Sequence, residues 1–393
     1  MKNIEYIVLK SKGPRSRAIE GAGPFNGPFA QSTSTGDYDI ELTQESLSSA
    51  DVGLLQRDQN VRAIAPNIPM RLIEPFSAAD VESSAGSTWG VTAVGADTSP
   101  FDGSGITVAV LDTGIDPEHE AFVGVNLIQR NFTSEGDNDS DGHGTHCAGT
   151  IFGRSVDGTR IGVAPGVTNA LIGKVLGAGA GSSAIISQAI QWAVNEGANV
   201  ISMSLGMDFP GYREFLVSQG FGDKPATSMA LEGYRANINL FRELSDFVSA
   251  NGAITQGSII VAASGNESDR PNFEIAVAPP AASAGIVSVG ALQQATGGLQ
   301  VASFSNTRVD LAGPGVGVIS ARPGGGLVSL DGTSMATPHV AGVAALWGQK
   351  MLQAPGGTLS ALSARVIGNS TRDPLASGLS AEDVGEGLVQ APQ

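Results

Sequence analysis

Residues 332–342 read Gly-Thr-Ser-Met-Ala-Thr-Pro-His-Val-Ala-Gly. Ser334 stands between Thr333 and Met335, just ahead of an apolar helical run from Val340 to Trp347. A serine at that point lies near the unsatisfied backbone N–H groups of a helix start. Such a place suits a nucleophile whose attack creates an oxyanion. Pro338 fits the early part of the helix, where its missing N–H costs little. Taken alone, the serine is as readily an N-cap as a nucleophile.

Two further segments complete a constellation. Residues 106–111, Ile-Thr-Val-Ala-Val-Leu, form a short apolar run that predicts a buried strand. The run ends in Asp112-Thr113-Gly114-Ile115-Asp116. An acid at the carboxyl end of a buried strand lies where open α/β sheets place their active sites. Then comes Asp141-Gly142-His143-Gly144-Thr145-His146-Cys147-Ala148-Gly149, with His143 between two glycines at a second helix start. The order Asp112, His143, Ser334 is one of three unrelated orders in which a serine triad occurs.

These three motifs resemble the Asp, His and Ser signatures of the subtilisin-type serine endopeptidases, the subtilases. Ser202-Met203-Ser204-Leu205-Gly206 and Ala262-Ala263-Ser264-Gly265-Asn266 match two more motifs of that family, in the right order. The resemblance covers roughly residues 88–391. It implies an α/β fold with a mainly parallel sheet and helices on both faces, and hydrolysis of peptide bonds through an acyl-enzyme. It implies Asp112, His143 and Ser334 as the catalytic triad and Asn266 as the oxyanion-hole donor. Ser204, Leu205 and Gly206 match the backbone edge that pairs with substrate. Gly179 and Gly181 belong to a Gly-Ala-Gly-Ala-Gly-Ser stretch resembling the opposite edge, so an extended peptide would be held by β-augmentation.

Each role has a physical basis. A serine hydroxyl is inert until a base takes its proton. An imidazole titrates near ~6.5 and serves as that base. Asp112 would hold the His143 tautomer and stabilise the imidazolium. All catalytic positions are intact, which favours an active peptidase over a scaffold on the same fold. A peptide-transferring enzyme with the same triad is the other alternative.

Composition narrows the partners. A net charge of −16 argues against nucleic acid or an anionic membrane surface. No apolar run reaches the ~18 residues that a membrane span needs. The single cysteine, Cys147, excludes an internal disulfide, and the N-terminus has no uninterrupted apolar stretch of the signal-peptide kind. Both point to the cytoplasm, with secretion by another route left open. No cofactor is expected for catalysis. Structural calcium is common in the family, but Ala121 stands where many members have a calcium-binding Asp, and the metal ligands stay unassigned. Asp137, Asp139 and Asp141 start like an EF-hand loop but lack its Glu at the twelfth position, so a solvated acidic loop is expected. His119 and His339 read as turn and packing residues, and Cys147 as a buried helix residue.

Residues 1–75 have another texture. Strands are expected at Ile4–Leu9, Tyr38–Leu42 and Val61–Ile64, with a Gly/Pro/Ser-rich loop over 11–36 and a short helix capped by Ser48 or Ser49. The pattern resembles the small α+β propeptide of subtilases. Its end, near Pro66 to Pro75, would lie in the cleft as an intramolecular inhibitor alongside the polypeptide substrate. Residues 76–100 read as a linker and the start of the catalytic region, with self-cleavage around 75–95. Residues 101–393 read as the catalytic domain, with an insertion near 207–257. Strands are predicted near 106–111, 170–176, 199–204, 258–263 and 286–291. Helices are predicted near 143–152, 183–196, 228–250, 334–349 and 358–367. Their alternation implies a parallel sheet covered on both faces.

Overall fold

The computed structural model describes residues 4–14, 38–81, 85–177, 181–255 and 257–393. Its centre is an eight-stranded sheet. From one edge the order is Gly298–Val301, Ile286–Ala295, Ile259–Ala263, Val200–Met203, Thr107–Asp112, Asn169–Lys174 and Asn126–Asn131, with Leu311–Pro314 also on Ile286–Ala295. All pairings are parallel except that of Gly298–Val301. Strands buried on both faces need apolar residues at successive positions. Thr107–Asp112 does this: Val108 and Val110 enter one core cluster, Ala109 and Leu111 the other. The sequence of the strand therefore fixes two layers of helix.

On the first face lie the helices His143–Phe152 and Thr333–Gln353; on the second lie Ser183–Asn195 and Asp223–Thr255. The predicted helices fall close to these bounds. The insertion differs from its prediction. It holds two helices, Phe209–Ser218, capped by the Asp208 side chain, and the long Asp223–Thr255. On the long helix Phe241, Leu244, Phe247 and Val248 are buried, whereas Leu231 is exposed.

The N-terminal sheet is antiparallel, in the order Tyr38–Leu47, Ile4–Pro14, Val61–Pro66. Helix Ser49–Leu55 is closed by a capping box between Ser48 and Asp51. The strands run longer than predicted, and residues 15–37, most of the expected loop, lie outside the described residues. Ile7, Leu9 and Ile40 are buried in the same core cluster as Phe241 and Leu244 of the long insertion helix. Each such side chain contributes roughly 1.5–3 kcal/mol on burial. Asn237 Nδ2 donates to Pro66 O at 3.0 Å, and Arg62 pairs with Glu243 at 3.4 Å. The insertion thus packs on both the catalytic sheet and the N-terminal sheet.

The stretch expected to be a linker carries regular structure. Phe76–Val81 pairs antiparallel with Leu327–Asp331, and Trp89–Ala93 is a short helix. Gly90 lets that helix lie against the ring of His339; a Cβ there would come 2.1 Å from its Nε2. Among the described residues, no helix is long and apolar enough to cross a membrane.

Candidate active site

Asp112 ends its strand with a carboxylate that is nearly inaccessible. Its Oδ1 accepts from Thr113 N at 2.7 Å and from His143 Nδ1 at 2.8 Å. The N–H on Nδ1 leaves Nε2 as the basic nitrogen of neutral His143. His143 opens its helix after Gly142, whose φ of 96° is the left-handed conformation that favours glycine. Gly144 permits the close packing that puts His143 there: a Cβ on it would lie 2.2 Å from Gly114 O.

Burial by itself would favour the neutral imidazole of His143. The Asp112 carboxylate outweighs it and holds the His143 pKa well above the usual value. Burial lowers the pKa of His146 to about 3 and that of His339 to about 4, so both are neutral. His339 Nδ1 donates to Met335 O at 2.8 Å and His119 Nε2 to Gly326 O at 2.9 Å, packing and turn roles as expected.

Ser334 is the second residue of the Thr333–Gln353 helix and is fully buried. Pro338 lies inside that helix and has no N–H to donate to Ser334 O, four residues back. Ser204 Oγ and Cys147 Sγ take up this carbonyl, at 3.3 and 3.4 Å. Burial raises the Cys147 pKa, which keeps the thiol protonated and able to donate. Sequence reasoning placed Cys147 in the core but had no signal for this bond.

The Ser334 hydroxyl does not bond to His143. It donates to Ile73 O at 3.0 Å, and His143 Nε2 is buried without a hydrogen-bond partner. Asn266 is fixed by its neighbour in the quoted motif. Thr333 N and Thr333 Oγ1 both donate to Asn266 Oδ1 at 2.9 Å. This fixes which end of the amide faces the cleft, and Nδ2 donates there to Glu74 O at 2.9 Å. Thr333 was legible in the sequence only as a small flank of Ser334.

Residues 69–74 fill the cleft as an extended peptide. Pro69–Leu72 is the middle strand of three, antiparallel to Gly181–Ser182 on one side and Leu205–Met207 on the other. Leu72 pairs with Leu205, Arg71 with Gly206, and Met70 with both Met207 and Gly181. Ile73 N donates to Ser204 O at 3.5 Å. Ser204, Leu205, Gly206 and Gly181 are thus brought together around one strand, while Gly179 lies outside the described residues. Met70 and Ile73 are buried in the cleft.

The acidic loop is not simply solvated. Asp139 is buried and accepts from Thr113 Oγ1, Gly142 N, Thr145 N and Thr145 Oγ1 at 2.6–2.8 Å. It braces the start of the His143 helix. Ala121 is fully buried, and its side chain offers no oxygen, so this position does not fit a calcium ligand.

Comparison with known proteins shows the family. Residues 103–382 match the model of the subtilase family. The chain is 35% identical over 323 residues to the M-protease of Shouchella clausii (strain KSM-K16), covering 79% of this chain and 68% of that one. It is 34% identical over 323 residues to subtilisin-like protease 7 of Arthroderma gypseum, covering 79% and 67%. It is 37% identical over 270 residues to subtilisin Savinase of Lederbergia lenta, covering 67% and 84%. These relatives overturn the cytoplasmic expectation, because alkaline proteases and subtilisins are secreted enzymes. A lone buried cysteine excludes an internal disulfide but does not report the compartment. Subtilases need no cofactor for catalysis. By fold, motifs and kinship the chain belongs to the subtilase family of serine endopeptidases.

Proposed function

We propose that Ser334 attacks the peptide carbonyl, with His143 as general base and Asp112 as its orienter, to give an acyl-enzyme that water then hydrolyses. The observation that carries the assignment is the buried 2.8 Å contact between Asp112 Oδ1 and His143 Nδ1 in a chain of this family. Attack needs His143 Nε2 to take the Ser334 proton, and that nitrogen is unengaged. Asn266 Nδ2 faces the cleft and would donate to the oxyanion. Ser204, Leu205, Gly206 and Gly181 would hold the substrate backbone, as they hold residues 69–72.

Residues 1–75 act in this reading as a propeptide-like inhibitor domain. Support comes from the strand 69–72 lying in the cleft and the Ile73 carbonyl at 3.0 Å from Ser334 Oγ. Attached inhibitor competes at high effective concentration, so modest intrinsic affinity suffices. The bond nearest Ser334 is Ile73–Glu74, so self-cleavage is expected there, just before the 75–95 window expected from sequence. Asn266 Nδ2, which bonds the next carbonyl, that of Glu74, would turn to the Ile73 carbonyl as attack begins.

Labelling with a fluorophosphonate probe tests the nucleophile. Wild type should label and the Ser334→Ala chain should not. Mass spectrometry of peptide products distinguishes hydrolysis from peptide transfer, since only hydrolysis adds one water to each bond cut. Ligated products without hydrolysis would overturn the endopeptidase reading.

A further inference from the structure

Arg71 is the third residue before the Ile73–Glu74 carbonyl-to-nitrogen bond, and its side chain lies between two acids. Arg71 Nη2 is 3.0 Å from Glu267 Oε1, and Nη1 is 3.8 Å from Asp208 Oδ1. Both acids are held by the catalytic domain itself. Asn306 Nδ2 donates to Glu267 Oε2 at 2.7 Å, and Glu267 N donates to Asn306 Oδ1 at 3.1 Å. Asp208 caps the Phe209–Ser218 helix through Gly211 N at 3.1 Å, and Asp208 N donates to Pro69 O at 3.1 Å. Two fixed carboxylates facing one backbone position make a preorganised seat for a guanidinium or ammonium group.

We propose that Glu267 and Asp208 form an acidic subsite that selects substrates with Arg or Lys three residues before the cleaved bond, and that Arg71 is its first occupant. The inference rests on reading residues 69–74 as bound like a substrate. The acids and Arg71 are 28–46% exposed, so water and salt screen the pairs. Two such pairs support a preference of about three- to tenfold for Arg over Ala at this position, and a comparable handicap for Glu.

Two measurements test it. The first uses quenched fluorescent peptides Pro-Met-X-Leu-Ile-Glu-Pro-Phe, with X as Arg, Lys, Ala or Glu, and the self-processed enzyme. kcat/KM should rank Arg and Lys above Ala above Glu. The ranking should collapse in Glu267→Gln/Asp208→Asn, which retains the Asn306 contact and the helix cap, and should weaken at high salt. Equal rates for all four peptides in wild type, or a ranking unchanged in the double variant, overturn the proposal while leaving the peptidase reading intact. The second needs no turnover. In the full Ser334→Ala chain, hydrogen exchange at residues 70–73 should quicken about three- to tenfold in Arg71→Ala and in the double variant. Combining all three substitutions should add nothing further. Additive effects overturn the seat even if no peptide is cut, an outcome that would separately sink the peptidase reading.

Discussion

Removing the side-chain donor at Asn266 should damage the chemical step and spare binding. Asn266 Nδ2 reaches the Glu74 carbonyl at 2.9 Å, a hydrogen-bonding distance for a group in the cleft. Bonded to a neutral carbonyl, such a donor contributes about 0.5–1.5 kcal/mol; bonded to an oxyanion, about 1.5–3 kcal/mol and shorter. That difference of about 1–1.5 kcal/mol is only about five- to tenfold in rate. The low dielectric of a water-excluded site strengthens the bond to the oxyanion, so the expected loss in kcat for Asn266→Ala is about 100-fold. The loss known for the corresponding donor in subtilisin, about 100- to 1000-fold, is borrowed as the upper range. Thr333→Val tests the logic one step away. It removes the Oγ1 donor to Asn266 Oδ1 but keeps the Thr333 N–H donor, so kcat should fall only about three- to tenfold. The combined variant should be no slower than Asn266→Ala, because Thr333 acts through Asn266. Steady-state kinetics on a fluorogenic peptide decides the matter. A mainly KM effect in Asn266→Ala would assign the residue to ground-state binding, and additive losses would remove Thr333 from the orienting role.

Ser334→Ala, His143→Ala and Asp112→Ala should each abolish nearly all turnover, with double variants little worse than the worst single one. Intact-mass analysis of wild type should find a new N-terminus at Glu74, absent in Ser334→Ala; a cut elsewhere would refute the placement of Ile73. The raised pKa of His143 means that the base stays protonated to higher pH than usual, so activity should climb with pH through a limb above ~6.5. Asp112→Asn should shift that limb of kcat/KM downward, and an unmoved limb would show that another group controls it. Gly144→Ala drives a Cβ to 2.2 Å from a backbone oxygen and should destabilise by about 1–3 kcal/mol or more in denaturant titrations. Gly53→Ala, within a helix and with nothing within 4 Å of the added Cβ, should instead stabilise slightly.

The catalytic layer was legible because its elements are short and strongly patterned. The run 106–111 could be little but a buried strand, and the helix at 143–152 begins with glycine and continues with small or apolar residues. The ordered motifs then named Asp112, His143, Ser334 and Asn266 before any geometry. What could not be read depends on distant partners. The stretch 76–100 looked like a linker because small and polar residues carry little periodic signal, yet Phe76–Val81 finds an edge at Leu327–Asp331. Asp139 looked like its solvated neighbours Asp137 and Asp141, since a carboxylate buried among four donors has the same local sequence as an exposed one. Pro210 and Asp208 mark the start of the first insertion helix, but within the insertion a helix was predicted only near 228–250. Arg71 was an unremarked cation until Glu267 and Asp208 came beside it from far along the chain.

The proline inside the nucleophile helix bears on when this protease comes into being. The Ser334 carbonyl that Pro338 leaves free is satisfied from Cys147 and Ser204, which lie 187 and 130 residues away in sequence. Closing such long loops is entropically slow to be repaid, so these contacts belong to the end of folding rather than its start. Until then the backbone at the nucleophile has a bare polar group and no fixed position relative to the base. If Ser334 is the nucleophile as proposed, activity should appear only when the whole domain is complete, which would keep a half-made chain from digesting its still-unfolded neighbours.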